Sequence, residues 1–298
     1  MNNDIIAVGS IALDTIKTPF HQVADVLGGS LTHFSIISSF FKKTHLVGVL
    51  GSDFPQKYIE KLKSFNLSLQ FVEQLQGKTF RWGGEYLKNM DDRITLFTKL
   101  GVFKQFNPKL ENCSIKSPIL YLGNIQPSLQ IRVLKQIKNN VLVVSDTMNL
   151  WIENEYQDLI TVINKTNILL INEEEVFMLT KKSTLDDAAS LLLTMGPRAI
   201  IVKCGSQGSF LFSRNNCNLH VPVFPISSVV DPTGAGDSYA GGFVGFLAQH
   251  GLEDLQEAMV VGSAAASLCV ENFSSSMIDI VNKESILYRA EKIKNLIN

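Results

Sequence analysis

Apolar residues along the chain fall into two rhythms. Residues 5–9 (Ile-Ile-Ala-Val-Gly) and 45–50 form short apolar runs that read as buried strands, and 30–41 between them carries its apolar residues at helical spacing. Strand, helix, strand is the unit of a parallel sheet. Residues 56–65 continue as a helix with Leu62 and Phe65 on one face. From about 71 to 100 the alternation stops: 78–87 and 93–99 alternate apolar and polar residues on either side of Asn89-Met90-Asp91-Asp92, the pattern of an antiparallel hairpin. That stretch, with a contribution from about 11–20, is expected to form a small antiparallel β lid, whose exposed aromatics Phe80, Trp82, Tyr86 and Phe97 would need a partner surface. The strand–helix rhythm then returns, with strands expected at 119–123, 141–146, 168–172 and 199–203 and helices at 128–138, 153–163, 173–179 and 185–195. A hairpin over 208–213 and 219–223 and helices at 235–249, 254–270 and 283–296 complete the chain. The pattern predicts a three-layer α/β/α sandwich with a Rossmann-like central sheet, occupying 1–298 as a single domain.

The stretch 229–248 is where chemistry is expected. Val229 and Val230 end an extended run, and Pro232, Gly234 and Gly236 break the backbone before a helical pattern begins near Ala235. A loop feeding a helix N-terminus presents backbone N–H groups without intrahelical partners at the positive end of the dipole, so Gly234-Ala235-Gly236 can close around an anion such as a phosphoryl group. Asp237 in the first turn would hold a carboxylate beside that anion, where it could take a proton from an attacking hydroxyl. The alternative is a turn followed by an Asp that only offsets the dipole. Gly241, Gly242 and Gly245 inside the following helix argue for more, since each costs about 1 kcal/mol relative to Ala unless the helix must approach a neighbour closely.

Bulk properties exclude several classes. At 298 residues with 45% hydrophobic content the chain can build a large core, while a formal net charge of −1 leaves no basic surface for nucleic acid. No apolar run approaches the roughly 18 residues of a membrane span, and the first residues resemble no signal peptide, so a cytoplasmic protein without membrane contact is expected. Cys113, Cys204, Cys217 and Cys269 are scattered, with no pairing suited to a metal or a disulfide framework; reduced, mostly buried thiols are expected. No Gly-Lys-Ser/Thr follows the 234–236 loop, and it lacks the third glycine of a dinucleotide fingerprint.

Asp231-Pro-Thr-Gly-Ala-Gly-Asp237 resembles the C-terminal signature of the ribokinase-like sugar kinases, the phosphofructokinase B family. The resemblance implies that Asp237 is the catalytic base and that the amides of Gly234, Ala235 and Gly236 form the anion hole for the transferred phosphoryl group. In open parallel sheets ligands bind beyond the carboxyl ends of strands, where Asp14, Asn124, Asp146, Asn172 and Gly205 stand. Asp14 resembles the family's substrate-binding Asp, and Gly28-Gly29 its N-terminal signature; His33 occupies the position of the usual Asn and is a substrate contact or a structural residue. Asn124 and Asp146 join the substrate side, with Asp146-Thr-Met-Asn149-Leu-Trp151 loosely resembling an Asp-Pro-Asn motif. Asn172-Glu-Glu-Glu175 matches the family's Asn-x-x-Glu, which implies a hydrated Mg²⁺ held by Asn172 and Glu175; the alternative is an acidic first helical turn. Lys203, Gly205 and Gly208 resemble the loop bordering the nucleotide, Asn272 lies where the adenine and ribose are lined, and Asp231 stands where a monovalent cation such as K⁺ is often held or where an Asp caps the turn. Arg81 could meet a substrate anion but reads more simply as solvated.

Together these imply an ATP-dependent, Mg²⁺-requiring kinase that phosphorylates a hydroxyl of a carbohydrate and dimerises through its lid. A nucleoside kinase of the same family is the alternative, and a non-catalytic sugar or nucleotide sensor is a further one.

Overall fold

The computed structural model describes residues 4–90, 92–110, 119–137, 141–215, 218–251, 253–273 and 278–297. Cys113 and Cys217 lie outside them, while Cys204 and Cys269 are buried free thiols. The chain begins with β1 (Ile5–Val8), an apolar strand buried on both faces, as a strand in the middle of a parallel sheet must be. β2 (Ala12–Lys17) and β3 (Gln22–Gly28) leave the main sheet, and α1 (Ser30–Ser39) and β4 (Thr44–Gly51) return to it. There follow α2 (Gln56–Lys63), β5 (Leu67–Leu75), β6 (Arg81–Tyr86), β7 (Arg93–Lys99), β8 (Ile119–Leu122), α3 (Pro127–Leu134), β9 (Leu142–Ser145), α4 (Asn149–Asn154) and α5 (Tyr156–Ile163). The remainder is β10 (Ile168–Asn172), α6 (Glu173–Thr180), α7 (Leu185–Thr194), β11 (Ala199–Lys203), β12 (Ser209–Ser213), β13 (Leu219–Val221), α8 (Ala235–His250), α9 (Leu255–Val270) and α10 (Lys283–Ile297).

The central sheet runs in the order β13-β12-β11-β10-β9-β8-β1-β4-β5. Its pairings are parallel except at β11–β12 and β12–β13, where the hairpin closes one edge. Alternation along the strands separates two cores. Ile5, Ala7, Leu170 and Ile201 face α1, α8, α9 and α10; Ile6, Val8, Leu169 and Ile200 face α3 to α7. That gives the expected three layers. β1 lies between β8 and β4, so the chain leaves it in both directions, and the gap beyond its carboxyl end is where such a sheet opens for a ligand.

α8 is the central helix of its layer, and its glycines act as the sequence implied. A Cβ on Gly241 would come 2.5 Å from the Phe34 carbonyl oxygen, and one on Gly242 would come 2.8 Å from that of Val261. α8 therefore lies flush against both α1 and α9.

Four strands form the small sheet, in the order β3-β2-β6-β7. Two pairings are antiparallel, and β2 pairs with β6 in parallel. Three expectations need correction. Residues 71–75 belong to β5 and pair with β4 in the large sheet, so they do not open the lid. Residues 22–28 form β3, a lid strand not expected from its broken apolar pattern; a bulge opposite Asp14 and a left-handed Asp25 (φ 51) interrupt the alternation. The helix expected over 153–163 is two helices, broken at Glu155 (φ −136, ψ 41).

The lid aromatics are also not the exposed set expected. Phe80 packs on Phe103 at 5.5 Å, Tyr86 is buried, and Trp82 packs with the cluster around Ile16 and Tyr86. The lid exposes Phe20 and Leu87 in its turns and, on its outer strand β7, Ile94 and Leu96, 51% and 49% accessible. Arg81, expected to be solvated, is held between Asp53 (2.8 Å) and Asp25 (2.9 Å), and Asp53 also accepts from the Thr79 N–H and hydroxyl. This network pins the start of β6 to the main body.

Candidate active site

The turn before α8 is built around Gly234. Ala235 N–H donates to the Pro232 carbonyl at 3.2 Å, and Gly234 takes φ 78, ψ 5 as the N-cap of the helix, a left-handed conformation costly to any residue with a Cβ. Space imposes the same choice: a Cβ there would stand 2.5 Å from Cγ and Nδ1 of His33. The start of α8 borders a cavity of about 560 Å³ lined by Gly236, Asp237, Lys203, Asp146, Asn124, Arg93 and neighbours; Gly234 and Ala235 stand behind this wall. Asp237 is half-buried in the first turn. Burial, then the nearby Asp146 carboxylate, raises its carboxyl to about 7, against the pull of Lys203 and Arg93.

The ends of parallel strands supply the opposite wall. β9 delivers Asp146 and β11 delivers Lys203, whose ammonium meets Asp146 Oδ2 at 2.9 Å. Burial opposes the Lys203 charge, but Asp146, Glu175 and Asp237 around it outweigh burial and raise its pKa. A Cβ placed on Gly236 would lie 3.4 Å from Lys203 Nζ, so the ammonium stands at the floor of the helix N-terminus. Two sources of positive potential thus converge on one spot, with Asp237 beside them.

β2 supplies Asp14. Its Oδ2 accepts from Gly29 N–H at 3.2 Å, and Gly28 leaves room for the carboxylate, since a Cβ there would come 1.9 Å from Oδ2. Oδ1 is buried without a hydrogen-bond partner, and burial raises the carboxyl to about 7. Thr147 Oγ1, on the cavity wall, is likewise buried and unpartnered. Buried polar atoms of this kind take a partner from water or a ligand, and Thr147 Oγ1 stands where the cavity can supply one. Asn124 is oriented by Trp151, whose indole N–H donates to Oδ1 at 2.7 Å.

His33 is not at the cavity surface. It is 1% exposed, its ring lies against Gly234, and burial depresses its pKa to about 4. A neutral ring at that place supports the Gly234 turn by contact and adds no charge to it.

At the β10 end, Asn172 and Glu175 satisfy each other. Asn172 Oδ1 accepts from Glu175 N–H at 2.8 Å, and Glu175 Oε2 accepts from Asn172 N–H at 3.1 Å, a reciprocal cap of α6. Both residues still line the cavity, as does Glu174, and burial raises Glu175 to about 7. Asp231 is fully buried, its Oδ1 accepting from Thr233 N–H at 2.9 Å in a turn of the Asx kind. Gly205, Gly208 and Asn272 do not line this cavity; Asn272 Nδ2 donates to the Leu268 carbonyl at 2.8 Å and closes the end of α9.

Sequence reasoning missed Arg93, Thr147, Glu174 and Tyr121. Tyr121 lies within the strand expected at 119–123; its hydroxyl is buried without a hydrogen-bond partner and feels both Asp146 and Asp237. Arg93 faces Tyr86 across the lid hairpin, and a cation opening a strand that alternates toward the cleft was the available signal.

Carboxyls and an ammonium gathered at the positive end of one helix are parts of a phosphoryl-transfer site. A profile of the pfkB family of carbohydrate kinases matches residues 1–279. The chain belongs to that family. PfkB kinases are ATP-dependent phosphotransferases, and the chain is an enzyme of that class. A cytidine kinase of Thermococcus kodakarensis is 25% identical over 249 residues, covering 81% of this chain and 87% of that protein. The crystal structure of a nucleoside kinase from Methanocaldococcus jannaschii superposes with a TM-score of 0.80 at 24% identity, over 98% of this chain and 99% of that one. A putative ribokinase II from E. coli, solved with ATP and Mg²⁺, superposes at 0.78 and 20% identity over 97% and 99% of the two chains. Both superpositions carry the fold, including the lid. Among the described residues no helix of this pfkB-family chain is long and apolar enough to cross a membrane.

Proposed function

We propose that this protein transfers the γ-phosphoryl group of ATP to a hydroxyl of a carbohydrate, with Asp237 as general base. The acceptor oxygen forms a bond to the γ-phosphorus as the bridging bond to the β-phosphate breaks; Asp237 takes the hydroxyl proton and ADP leaves. The N–H groups of Gly234 and Gly236 and the Lys203 ammonium receive the charge on the phosphoryl oxygens, while the Ala235 N–H, expected to join them, is held by the Pro232 carbonyl at 3.2 Å; Asp14 accepts hydrogen bonds from the acceptor. The observation that carries this assignment is the meeting of Asp237, Gly236 and Lys203 around one spot at the start of α8.

Among the described residues no three His, Cys, Asp or Glu side chains gather to hold a metal directly. Glu174, Glu175 and the Asn172 amide nevertheless offer hard oxygen donors along one wall, which suits a Mg²⁺ that keeps several waters and enters with the nucleotide. When bound, such an ion offsets charge on the phosphate oxygens. A nucleoside acceptor is the second assignment, favoured by the cytidine kinase and nucleoside kinase relatives. ADP formation from Mg-ATP over sugars, sugar acids, sugar phosphates and nucleosides, with product identification, tests both. Acceptor-dependent ADP formation that Asp237→Asn abolishes supports the kinase; ATP binding with no acceptor-dependent turnover overturns it.

The exposed Ile94 and Leu96 would cover one another in a homodimer joined through β7. Sedimentation is expected to give twice the 33.0 kDa chain mass, and Ile94→Glu with Leu96→Glu a single chain; a wild-type monomer at tens of micromolar would rule the dimer out.

Stability of the nucleotide-free protein is expected to fall as pH rises. Asp14, Glu175 and Asp237 each have a folded pKa near 7, above ordinary values of 3.8, 4.5 and 3.8, so the folded state holds protons that the unfolded chain has lost. Their stabilisation is fully present below about pH 4 and is lost as pH rises through 7. His33, depressed from 6.5 to about 4, works the other way below 6.5, but it is one group against three carboxyls. Urea midpoints should therefore be lower at about pH 8 than at about pH 5.5, and Asp14→Asn should flatten the slope. A midpoint that rises over this range would contradict the burial of these groups.

A further inference from the structure

Arg93 is a cation of this cleft that, among the described residues, no carboxylate neutralises; its side-chain contacts are the Tyr86 hydroxyl and the Trp82 ring. It opens β7 opposite Tyr86, lies over the Trp82 ring at 5.0 Å, and lines the cavity with Asn124, Thr147 and Asp237. Lys203, the other cation on that wall, is matched by Asp146, and Arg81 in the same lid is matched by Asp25 and Asp53. Among the described residues no carboxylate comes within ion-pair distance of Arg93. It lines the cavity with Asp237, and its charge pulls down the carboxyls of both Asp14 and Asp237.

The surroundings narrow what it would meet. Asp14 Oδ1 and Thr147 Oγ1 are buried polar atoms with no partner, suited to hydroxyls. A nucleobase would need an aromatic face. The Trp82 ring is covered by Arg93, and Tyr86, which lines the cavity, is only 6% exposed, with its hydroxyl bonded to Thr233 at 3.1 Å. A planar guanidinium fork matches one carboxylate with two parallel hydrogen bonds, whereas a doubly charged phosphate at a single arginine stays under-neutralised.

We infer that the acceptor is a sugar acid, whose carboxylate is held by Arg93 while Asp14 and Thr147 receive its hydroxyls. This rests on the kinase assignment above. The test is ADP formation from Mg-ATP by wild type, Arg93→Gln and Arg93→Lys against sugar acids, the matching neutral sugars, sugar monophosphates and nucleosides, with calorimetric titration of each acceptor in the absence of nucleotide. Sugar acids are expected to exceed their neutral counterparts by about 100-fold in kcat/KM, the scale of a charged bidentate contact. Arg93→Gln should raise KM for the acid by a similar factor, with a much smaller change in kcat, and erase the preference; Arg93→Lys should restore part of it. Preference for neutral sugars, monophosphates or nucleosides overturns the inference and leaves the kinase standing. So does an Arg93→Gln that weakens acids and neutral sugars equally. Sugar-acid binding that Arg93→Gln abolishes, with no ADP formed from any acceptor, overturns the kinase alone, and neither binding nor turnover overturns both.

Discussion

Asp237→Asn is expected to lower kcat by about 100- to 10,000-fold while ATP still binds, because general-base catalysis supplies a factor of that size. The substitution keeps the volume of the side chain and the start of α8 but leaves no oxygen able to take a proton. Since burial and Asp146 hold the wild-type carboxyl near 7, only part of the enzyme carries the base at neutral pH. In the wild type kcat/KM should climb with pH and level off above about 7. In Asp237→Asn the residual rate should lose that limb. Steady-state kinetics from pH 5.5 to 8.5, with ATP affinity measured by titration, read both effects. Turnover within about tenfold of wild type, on an unchanged pH profile, would remove Asp237 from the reaction.

Gly234→Ala is expected to cost about 100- to 1,000-fold in kcat, the scale of losing an oxyanion-hole donor. Two physical costs combine. The backbone at φ 78 strains any residue with a Cβ, by about 1–2 kcal/mol, and the new methyl meets the His33 ring where the gap is 2.5 Å. Relief of either moves the N–H groups of the turn away from the anion. The two are separable. In Gly234→Ala with His33→Ala the ring is gone, so the double variant should recover part of the rate lost in Gly234→Ala even though His33→Ala alone destabilises the fold by leaving a cavity. Kinetics and thermal unfolding of the four proteins complete the cycle. Losses that simply multiply would show that the ring contact does not set the turn.

Much of the architecture was readable because its causes are local. β1, β4, β8, β10 and β11 are apolar on both faces, and that composition suits only strands inside a covered parallel sheet. The turn into α8 is written in contiguous residues whose backbone needs can be read singly. The lid was harder. β3 has mostly exposed or half-buried positions interrupted by a left-handed Asp25, so no alternation announces it, and β5 joins the large sheet because β4 offers its edge, which no residue within β5 encodes.

The cleft divides in the same way. Residue type and strand position pointed to Asp14, Asp146, Lys203 and Asp237, since a polar residue at the carboxyl end of a buried strand, or in the first turn of a helix, has few places to face. Contacts between distant segments decided the rest. His33 turns toward Gly234 and away from the cavity, 201 residues apart by number. Glu175 closes on Asn172, Tyr121 carries a buried hydroxyl that feels Asp146 and Asp237, and Arg93 reaches the cavity from the lid. The amino-acid sequence by itself determined the layered fold and the glycine turn into α8, because hydrophobic period and backbone conformation are properties of neighbouring residues. Only the tertiary structure decided which side chains face the ligand and which support the wall, because that depends on packing between segments far apart along the chain.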